Sequence, residues 1–331
     1  MTDLRYDVLC IGNAIVDVIA DADDAFLAAQ GLDKGSMRLI DEAEAVRLYG
    51  EMGPGREISG GSAGNTAAGL AALGIKTAFI GQVADDQLGG IYRHDIEAQG
   101  IAFLVDPRSD VGATARSLIL VTPDAQRTMN TFLGAAQMLE ERSVDLDAVA
   151  ASGIVYLEGY LWDPAEPRAA MEAAMAAAHA AGRKVAFTLS DTFCIERHRE
   201  GFWQLLRDGK IDILFANEAE AKAMAGTDDF EAAVACLAET APTLVVTRSE
   251  QGALAIAGGE RAEVDAEPIE QLVDTTGAGD LFASGFLAGQ ARGLGLEASL
   301  KLGAIAAAEV IQHYGARPEK DLKALSGGLL G

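Results

Sequence analysis

The chain has 331 residues, half of them hydrophobic, and a net charge of −24 from 26 basic and 50 acidic residues. This length suits one large α/β domain with a small appendage. The acidic balance argues against nucleic acid or an anionic membrane as a partner. No run of about 18 uncharged apolar residues occurs, and the first seven residues lack an apolar signal segment. Because the three cysteines show no disulfide or metal spacing, we expect a cytoplasmic protein with reduced thiols.

Short β-branched runs alternate along the chain with longer Ala- and Leu-rich runs of helical spacing. This alternation predicts an α/β fold: a doubly wound, Rossmann-like, mostly parallel sheet with helices on both faces. The predicted strands are Val8–Ile11, Thr77–Ile80, Ile154–Leu157, Lys184–Leu189, Ile211–Phe215 and Leu244–Thr247. The predicted helices are Asn65–Leu73, Leu88–Gln99, Glu166–Ala181, Glu218–Ala225, Phe230–Glu239 and Leu281–Arg292.

Two segments interrupt the alternation. The first carries short extended pieces, and the second has the pattern of a hairpin with its turn at Pro123 and Asp124. Neither is long enough for a domain, so we predict a small β-sheet that forms a lid over the substrate site. The predicted lid comprises residues 17–41 and 114–132, and the α/β nucleotide-binding core comprises residues 1–16, 42–113 and 133–331.

Polar residues follow the first predicted strand. Asn13 and Asp17 come shortly after Val8–Ile11, and open α/β sheets bind ligands at the carboxyl ends of their strands. Asp17 has two oxygens with which to hold both hydroxyls of a ribose diol. Capping of the strand end is the alternative, and position alone favours it.

A Gly-rich segment, Gly60–Asn65, leads into the first predicted helix. Paired glycines let a ligand approach the backbone, and Asn65 offers a donor and an acceptor to neighbouring hydroxyls. A flexible loop with Asn65 in the first helical turn explains the segment equally well.

Asn217 and Glu220 follow the predicted strand Ile211–Phe215 and lie three residues apart on one helix face. Their oxygens suit a hydrated Mg²⁺ near phosphate groups. On spacing alone, a helix start capped by Asn217, with Glu220 complementing the helix dipole, is the simpler interpretation.

The segment Asp274–Asp280, with the sequence DTTGAGD, carries the strongest local signal. A Gly-rich turn that opens a helix leaves backbone N–H groups unpaired and, together with the helix dipole, forms an anion site. The small residues at 277–279 let a phosphate approach, and Asp280 is placed to accept the proton of an attacking hydroxyl. A tight turn with a carboxylate that favours the helix N-terminus is the alternative.

Two common nucleotide-binding motifs are missing from the sequence. There is no Gly-x-x-x-x-Gly-Lys-[Ser/Thr] loop, which excludes a P-loop kinase. There is no Gly-x-Gly-x-x-Gly after the first strand, which removes support for a nicotinamide dehydrogenase.

In this order and at this spacing, the four motifs resemble the ribokinase/PfkB family of carbohydrate kinases over nearly the whole chain, with Gly60–Asn65 and Asp274–Asp280 similar to its two signatures. The resemblance implies an ATP-dependent phosphotransferase. Gly12–Asp17 and Ile211–Ala221 are most similar to the adenosine kinases of that family, which implies phosphorylation of the 5′-hydroxyl of adenosine to AMP in purine salvage. Inosine, guanosine and sugars such as ribose or fructose remain alternatives, and a non-catalytic nucleoside or sugar sensor is less favoured.

The resemblance also implies a role for each candidate residue. The expected catalytic residues are the base Asp280 and the anion-hole residues Gly277, Ala278 and Gly279. The expected substrate-binding residues are Asn13, Asp17, Gly61, Ser62, Asn65, Arg127 and Leu161. The expected nucleotide-binding residues are Asn217, Thr247, Gly252, Gly277 and Gly279. Asn217 and Glu220 are expected to hold Mg²⁺ through water, and Asp274 and Thr276 match positions at which many relatives bind a monovalent cation such as K⁺.

One segment departs from the family pattern. Adenosine kinases of the animal type stack the base on an aromatic residue after a strand and a glycine. Here Leu161 takes that position, between Tyr160 and Trp162, so the identity of the base stays open. The expected partners are ATP and a nucleoside or sugar, with no nucleic acid and no membrane, and the chain is expected to be a monomer or homodimer.

Overall fold

The computed structural model describes residues 4–124 and 126–330. Residues 1–3 of the charged N-terminal segment, Ala125 beside the predicted turn, and Gly331 at the predicted end of the core lie outside the described residues. Within the described ranges, no helix is both long enough and apolar enough to cross a membrane.

The strands fall into two separate sheets. In chain order they are β1 (Tyr6–Ile11), β2 (Ile15–Asp21), β3 (Met37–Leu39), β4 (Arg56–Gly60), β5 (Thr77–Ile80), β6 (Ala102–Phe103), β7 (Ala115–Val121), β8 (Arg127–Phe132), β9 (Ser152–Glu158), β10 (Lys184–Thr188), β11 (Ile213–Asn217), β12 (Thr243–Thr247), β13 (Ala253–Ala257) and β14 (Glu260–Val264).

The α-helices pack mainly around the larger sheet. They are α1 (Asp24–Ala29), α2 (Glu42–Glu51), α3 (Ser62–Ala72), α4 (Gln87–Ala98), α5 (Leu146–Ala150), α6 (Ala165–Ala180), α7 (Thr192–Arg207), α8 (Glu218–Ala225), α9 (Phe230–Ala238), α10 (Ala278–Ala291), α11 (Leu296–Val310) and α12 (Leu322–Leu325). Short 3₁₀ helices span Gly134–Met138, Glu141–Ser143, Gly159–Trp162 and Ser249–Gln251.

The larger sheet has nine strands in the order β14-β13-β12-β11-β10-β9-β1-β5-β6. All neighbours from β6 to β12 are parallel, and β13 and β14 add an antiparallel edge. After β1 the chain builds first towards β6 and later, from β9, in the opposite direction. Such a reversal opens a crevice at the carboxyl ends of the strands, where open α/β sheets bind ligands.

Both faces of the larger sheet are buried. Along β1, Val8 and Cys10 belong to one apolar core and Leu9 and Ile11 to another. The first core includes residues of α3, α10 and α11, and the second includes residues of α6, α7 and α8. Because successive strand residues point to opposite faces, helices cover both sides of the sheet, and the predicted doubly wound fold is confirmed.

The smaller sheet has five strands in the order β3-β8-β7-β2-β4. The predicted hairpin is its centre: β7 and β8 pair antiparallel, and the Thr122 N–H donates to the Gln126 carbonyl at 3.0 Å. The sheet differs from the predicted lid limits in two places. The strand β4 lies within residues assigned to the core, and β2 begins at Ile15 instead of residue 17. Residues 56–60 contain a single β-branched side chain, so they carry no local strand signal.

Candidate active site

A cleft of about 560 Å³ lies between the carboxyl ends of the core strands and the smaller sheet. The two sheets contribute facing walls, which brings together residues far apart in sequence. Four expected site residues, Arg127, Leu161, Gly252 and Asp274, do not line the cleft. Those that do are Asn13, Asp17, Gly61, Ser62, Asn65, Asn217, Glu220, Thr247, Thr276, Gly277, Ala278, Gly279 and Asp280.

Asp280 occupies the first turn of α10 and is held by two side chains at the start of the neighbouring helix α3. Its two carboxylate oxygens accept hydrogen bonds from Ser62 Oγ at 2.7 Å and Asn65 Nδ2 at 2.9 Å. Burial raises the pKa of Asp280, while the two hydrogen bonds and the charge of Arg317 oppose the rise. A carboxylate that is oriented by two donors and has a raised pKa is suited to act as a base.

The turn before Asp280 depends on Gly277, the N-cap of α10, which has a φ of +80°. A Cβ at this position would lie 2.5 Å from the Ala316 Cβ, so only glycine fits. Among the described residues, no group accepts from the N–H of Gly277, Gly279 or Asp280. The Ala278 N–H instead donates to the Thr275 carbonyl at 3.2 Å. Three backbone amides without a hydrogen-bond partner therefore face the cleft. The Ala278 N–H, which was expected to join them in the anion site, is already hydrogen-bonded.

Asn65 lies one turn into α3, which begins after Gly61. Gly61 has a φ of +82°, and a Cβ there would lie 2.2 Å from the Asn13 carbonyl oxygen. Asn65 is 5% exposed, and its Oδ1 has no hydrogen-bond partner among the described residues. A buried amide oxygen without a donor is costly, so it marks a position at which a ligand hydroxyl would bind.

Asp17 projects from β2 into the cleft. Gly60 makes room for it, because a Cβ at that glycine would lie 2.4 Å from the Asp17 carboxylate. Burial raises the pKa of Asp17 to about 6, although the charges of Arg127 and Arg317 lower it, and the Asp280 charge adds to the rise. No hydrogen bond to its carboxylate is found within residues 4–124 and 126–330, so both oxygens remain available to a ligand.

Glu158, which no sequence motif singled out, joins the two loops on the substrate side. It ends β9, is fully buried, and accepts the N–H groups of Asn13 at 2.6 Å and Ala63 at 2.8 Å. Burial raises the pKa of Glu158 to about 7 against the two N–H donors, and the Asp280 charge adds to the rise. An acidic residue at the end of an apolar strand was the signal available in the sequence.

Asn217 and Glu220 form a capping box at the start of α8. Glu220 Oε2 accepts the Asn217 N–H at 3.0 Å, and Asn217 Oδ1 accepts the Glu220 N–H at 2.9 Å. Burial raises the pKa of Glu220 to about 7. The helix-cap alternative is thus present, and the same pair also lines the cleft. The described residues contain no group of three or more His, Cys, Asp or Glu side chains that could hold a metal by themselves.

Arg127 and Asp274 contact each other. The Arg127 Nη1 forms an ion pair with the Asp274 carboxylate and lies 3.2 Å from Thr276 Oγ1. Burial alone would raise the pKa of Asp274, but the Thr276 hydrogen bonds, the Arg127 charge and the Gly315 N–H hold it below its ordinary value. The family resemblance also implies that Arg127 neutralises phosphate charge when the lid closes, and such a contact would require this ion pair to open.

The two remaining expected residues lie outside the cleft. Leu161 is 1% exposed and packs in the core that contains α6 and α7, because the 3₁₀ helix Gly159–Trp162 turns it inward. Its neighbour Tyr160 lines the cleft instead. Gly252 has a φ of +81°, and a Cβ there would lie 1.9 Å from the Val264 carbonyl oxygen. The structure therefore explains Gly252 by packing against β14.

Apolar side chains line the cleft near the smaller sheet. Leu39 and Phe193 are 63% and 62% exposed, although both are large and apolar. Met37, Met129 and Leu133 line the same cleft. Exposed apolar side chains that gather in a cleft indicate a binding surface for an apolar or aromatic part of a ligand. No sequence motif identified these residues.

Comparison with known proteins gives consistent matches over nearly the whole chain. The model of the pfkB family of carbohydrate kinases matches residues 6–322. The solved structure of adenosine kinase from Sinorhizobium meliloti is 51% identical, with a TM-score of 0.91, and the match covers 98% of this chain and 99% of that one. A probable sugar kinase from Rhizobium etli is 50% identical, with a TM-score of 0.92 and the same coverage.

A sequence relative agrees with the structural matches. Adenosine kinase from Saccharomyces cerevisiae is 27% identical over 332 residues, which cover 93% of this chain and 95% of the relative. The predicted resemblance to the ribokinase/PfkB family, and within it to adenosine kinases, is thereby confirmed.

Proposed function

Because this chain belongs to the pfkB family of carbohydrate kinases, we propose that it is an ATP-dependent kinase that phosphorylates the 5′-hydroxyl of adenosine. One observation carries the proposal. The Asp280 carboxylate accepts hydrogen bonds from Ser62 and Asn65 at the start of α3 and stands beside free backbone amides. A base, an anion site and polar groups for a polyol therefore share one cleft.

The anion site binds the phosphoryl group in transfer. The free N–H groups of Gly277, Gly279 and Asp280 open at the N-terminus of α10, where the helix dipole favours negative charge. Charge spreads over the phosphoryl oxygens in the transition state, so preorganised donors stabilise it more than the ground state.

The substrate wall holds the ribose. Both oxygens of Asp17 and the unpartnered Oδ1 of Asn65 accept from ribose hydroxyls. The 5′-oxygen then attacks the γ-phosphorus, the bond from the γ-phosphorus to the bridging oxygen breaks, and Asp280 accepts the hydroxyl proton. Ser62 and Asn65 keep the Asp280 carboxylate aimed at that proton.

Asn217 and Glu220 would hold Mg²⁺ through water. Their oxygens are of the type that Mg²⁺ prefers, and because the capping box already engages them, contact through water fits better than direct ligation. When bound with ATP, the ion neutralises phosphate charge.

The apolar wall supports a nucleoside over a simple sugar. Leu39, Met129 and Phe193 offer an apolar surface that suits an aromatic base, a group that ribose and fructose lack.

The predicted cytoplasmic location, the state as monomer or homodimer and the action of the smaller sheet as a lid remain predictions.

A substrate panel tests the proposal. The purified chain is assayed for ADP release with Mg·ATP and adenosine, inosine, guanosine, ribose or fructose, and melting temperatures are recorded with each compound. We expect adenosine to give the highest kcat/KM, by about tenfold or more over the other compounds. Faster turnover of a sugar would make the chain a sugar kinase. Stabilisation by a nucleoside without ADP release would make it a sensor.

The pH dependence of kcat/KM follows from two carboxylates in the site. Both Asp17, with a pKa of about 6, and Asp280, with a raised pKa, act in the ionised form. As the pH falls through about 6, Asp17 takes up a proton, and protonation of Asp280, whose pKa is raised, adds to the loss, so kcat/KM for adenosine falls about tenfold or more per pH unit. Initial rates from pH 5 to 8.5 with saturating Mg·ATP measure this, with circular dichroism as the check on folding. A kcat/KM that stays constant down to pH 5 contradicts the assignment.

A further inference from the structure

An ion pair connects the smaller sheet to the turn that forms the anion site. Arg127 starts β8, and Asp274 precedes the turn at residues 275–277. Their side chains are 9% and 6% exposed, so the contact is almost fully buried. It joins a strand of the smaller sheet directly to the phosphate side of the cleft.

The Asp274 carboxylate is surrounded by hydrogen-bond donors. Oδ1 accepts from the Thr276 N–H at 3.0 Å and from Thr276 Oγ1 at 2.7 Å. Oδ2 accepts from the Gly315 N–H at 3.1 Å and from the Arg127 guanidinium. Four donors fill a carboxylate, which has about four lone-pair positions.

These surroundings do not fit the monovalent cation expected at Asp274 and Thr276. A hard cation needs free oxygen lone pairs around it, and with the Arg127 guanidinium in place the four donors engage all those of the Asp274 carboxylate. The guanidinium already places one positive charge at Asp274, and a second cation there would be repelled.

We propose that the Arg127 guanidinium takes the place of the monovalent cation at Asp274 and positions the anion turn, so that phosphoryl transfer by this chain needs no K⁺. Arg127 is then a positioning residue: it acts through Asp274 and Thr276 on the amides that follow. The proposal rests on the proposed kinase activity, and it replaces the expected contact between Arg127 and phosphate.

The Arg127→Ala variant separates the two roles. Removing the guanidinium leaves the Asp274 carboxylate buried without its positive partner, and space opens for a small cation. Rates are measured with adenosine and Mg·ATP at constant ionic strength, with N-methyl-D-glucamine chloride exchanged for KCl. We expect wild-type kcat/KM to change less than about twofold. The variant should lose about tenfold or more without K⁺ and recover most of this loss with it.

Two further variants sharpen the result. Arg127→Lys keeps the charge and should remain insensitive to K⁺. Arg38→Ala removes an arginine from β3 of the same sheet, where it pairs with Glu44, and should also show no response to K⁺. If Arg127→Ala does not fold, Arg127→Gln, which keeps a hydrogen-bond donor without the charge, takes its place.

Melting temperatures provide a readout that does not depend on turnover. K⁺ should raise the melting temperature of Arg127→Ala and leave that of the wild type unchanged, because only the variant has a site to fill. Activation or stabilisation of the wild type by K⁺ would overturn the proposal. If Arg127→Ala raised the KM for ATP and did not respond to K⁺, the proposal would also be overturned, and Arg127 would be a phosphate ligand. A wild type without ADP release under either salt would defeat the proposed function, while the melting temperatures would still decide the role of Arg127.

Discussion

Asp280→Asn is expected to lower kcat by about 10² or more without loss of the fold. The substitution keeps the shape of the side chain and removes the proton acceptor. The introduced amide would still accept from Ser62, and it would donate to the unpartnered Oδ1 of Asn65 after the Asn65 amide rotates. The hydrogen bonds between α10 and α3 thus survive and the fold is kept, while the base is lost and Asn65 Oδ1 no longer faces the ribose.

Stability gives the matched control for this variant. Burial raises the pKa of Asp280 above its value in the unfolded chain. Its contribution to stability is therefore full below the unfolded pKa and is lost as the pH rises through the folded pKa. At pH 7.5 the ionised Asp280 carboxylate lowers the stability of the fold because it is buried. A neutral Asn removes this cost, so the free energy of unfolding in urea should be equal to or higher than that of the wild type. Asp229→Asn, which alters the N-cap of α9 away from the cleft, should leave kcat unchanged. Near-normal turnover by Asp280→Asn would refute the assignment of Asp280 as the base.

Asp17→Ala is expected to lower kcat/KM for adenosine by about 10² or more. Hydrogen bonds to a charged group contribute about 1.5–3 kcal/mol each, and the two free oxygens of Asp17 accept from two ribose hydroxyls. Loss of both acceptors falls mainly on KM, because the ribose is held in the ground state as well as in the transition state.

Steady-state kinetics with adenosine and 2′-deoxyadenosine check this result. The wild type should discriminate between the two nucleosides, and Asp17→Ala should lose most of that discrimination because it no longer binds the diol. Asp21→Asn, at the exposed end of the same strand, is the matched control and should keep wild-type kinetics. If Asp17→Ala retained the preference for adenosine, the diol would be held elsewhere.

The net charge of −24 does not prevent binding of an anionic cosubstrate, because the electrostatic potential in the cleft is determined mainly by the groups nearby. Arg317 lies behind the anion turn and donates to the Ser59 and Gly64 carbonyls. Its charge lowers the pKa of both Asp17 and Asp280. Together with free amides at the start of α10, this guanidinium makes one region of an acidic protein favourable to phosphate.

The core could be predicted from sequence because its signals are local. A short, continuous apolar run such as Val8–Ile11 favours a strand buried on both faces, and the Gly-rich turn at 274–280 indicates a helix start. Where local preference disagrees with context, no element was predicted from the sequence. The sequence of β13, Ala253–Ala257, favours helix by composition, but Gly258 and Gly259, both with positive φ, fold it into a hairpin with β14.

The parts of the site that were not predicted from the sequence depend on contacts between residues far apart in the chain. Glu158 meets Ala63 across 95 positions, and Arg127 meets Asp274 across 147, and no spacing rule connects such pairs. Tyr160 lines the cleft where Leu161 was predicted, and this error has a different cause. Within a short 3₁₀ helix, neighbouring residues face different directions, so an error of one residue in register moves a side chain from the cleft to the core.

A crystal structure with adenosine and a non-hydrolysable ATP analogue tests the central claim most directly, which is that the free amides and Asp280 share one cleft with the ribose site. We predict the 5′-hydroxyl within about 3 Å of the Asp280 carboxylate, with γ-phosphate oxygens accepting from the N–H groups of Gly277, Gly279 and Asp280. A nucleoside bound away from Asp17 and Asn65, or a γ-phosphate that makes no contact with this turn, would contradict the account.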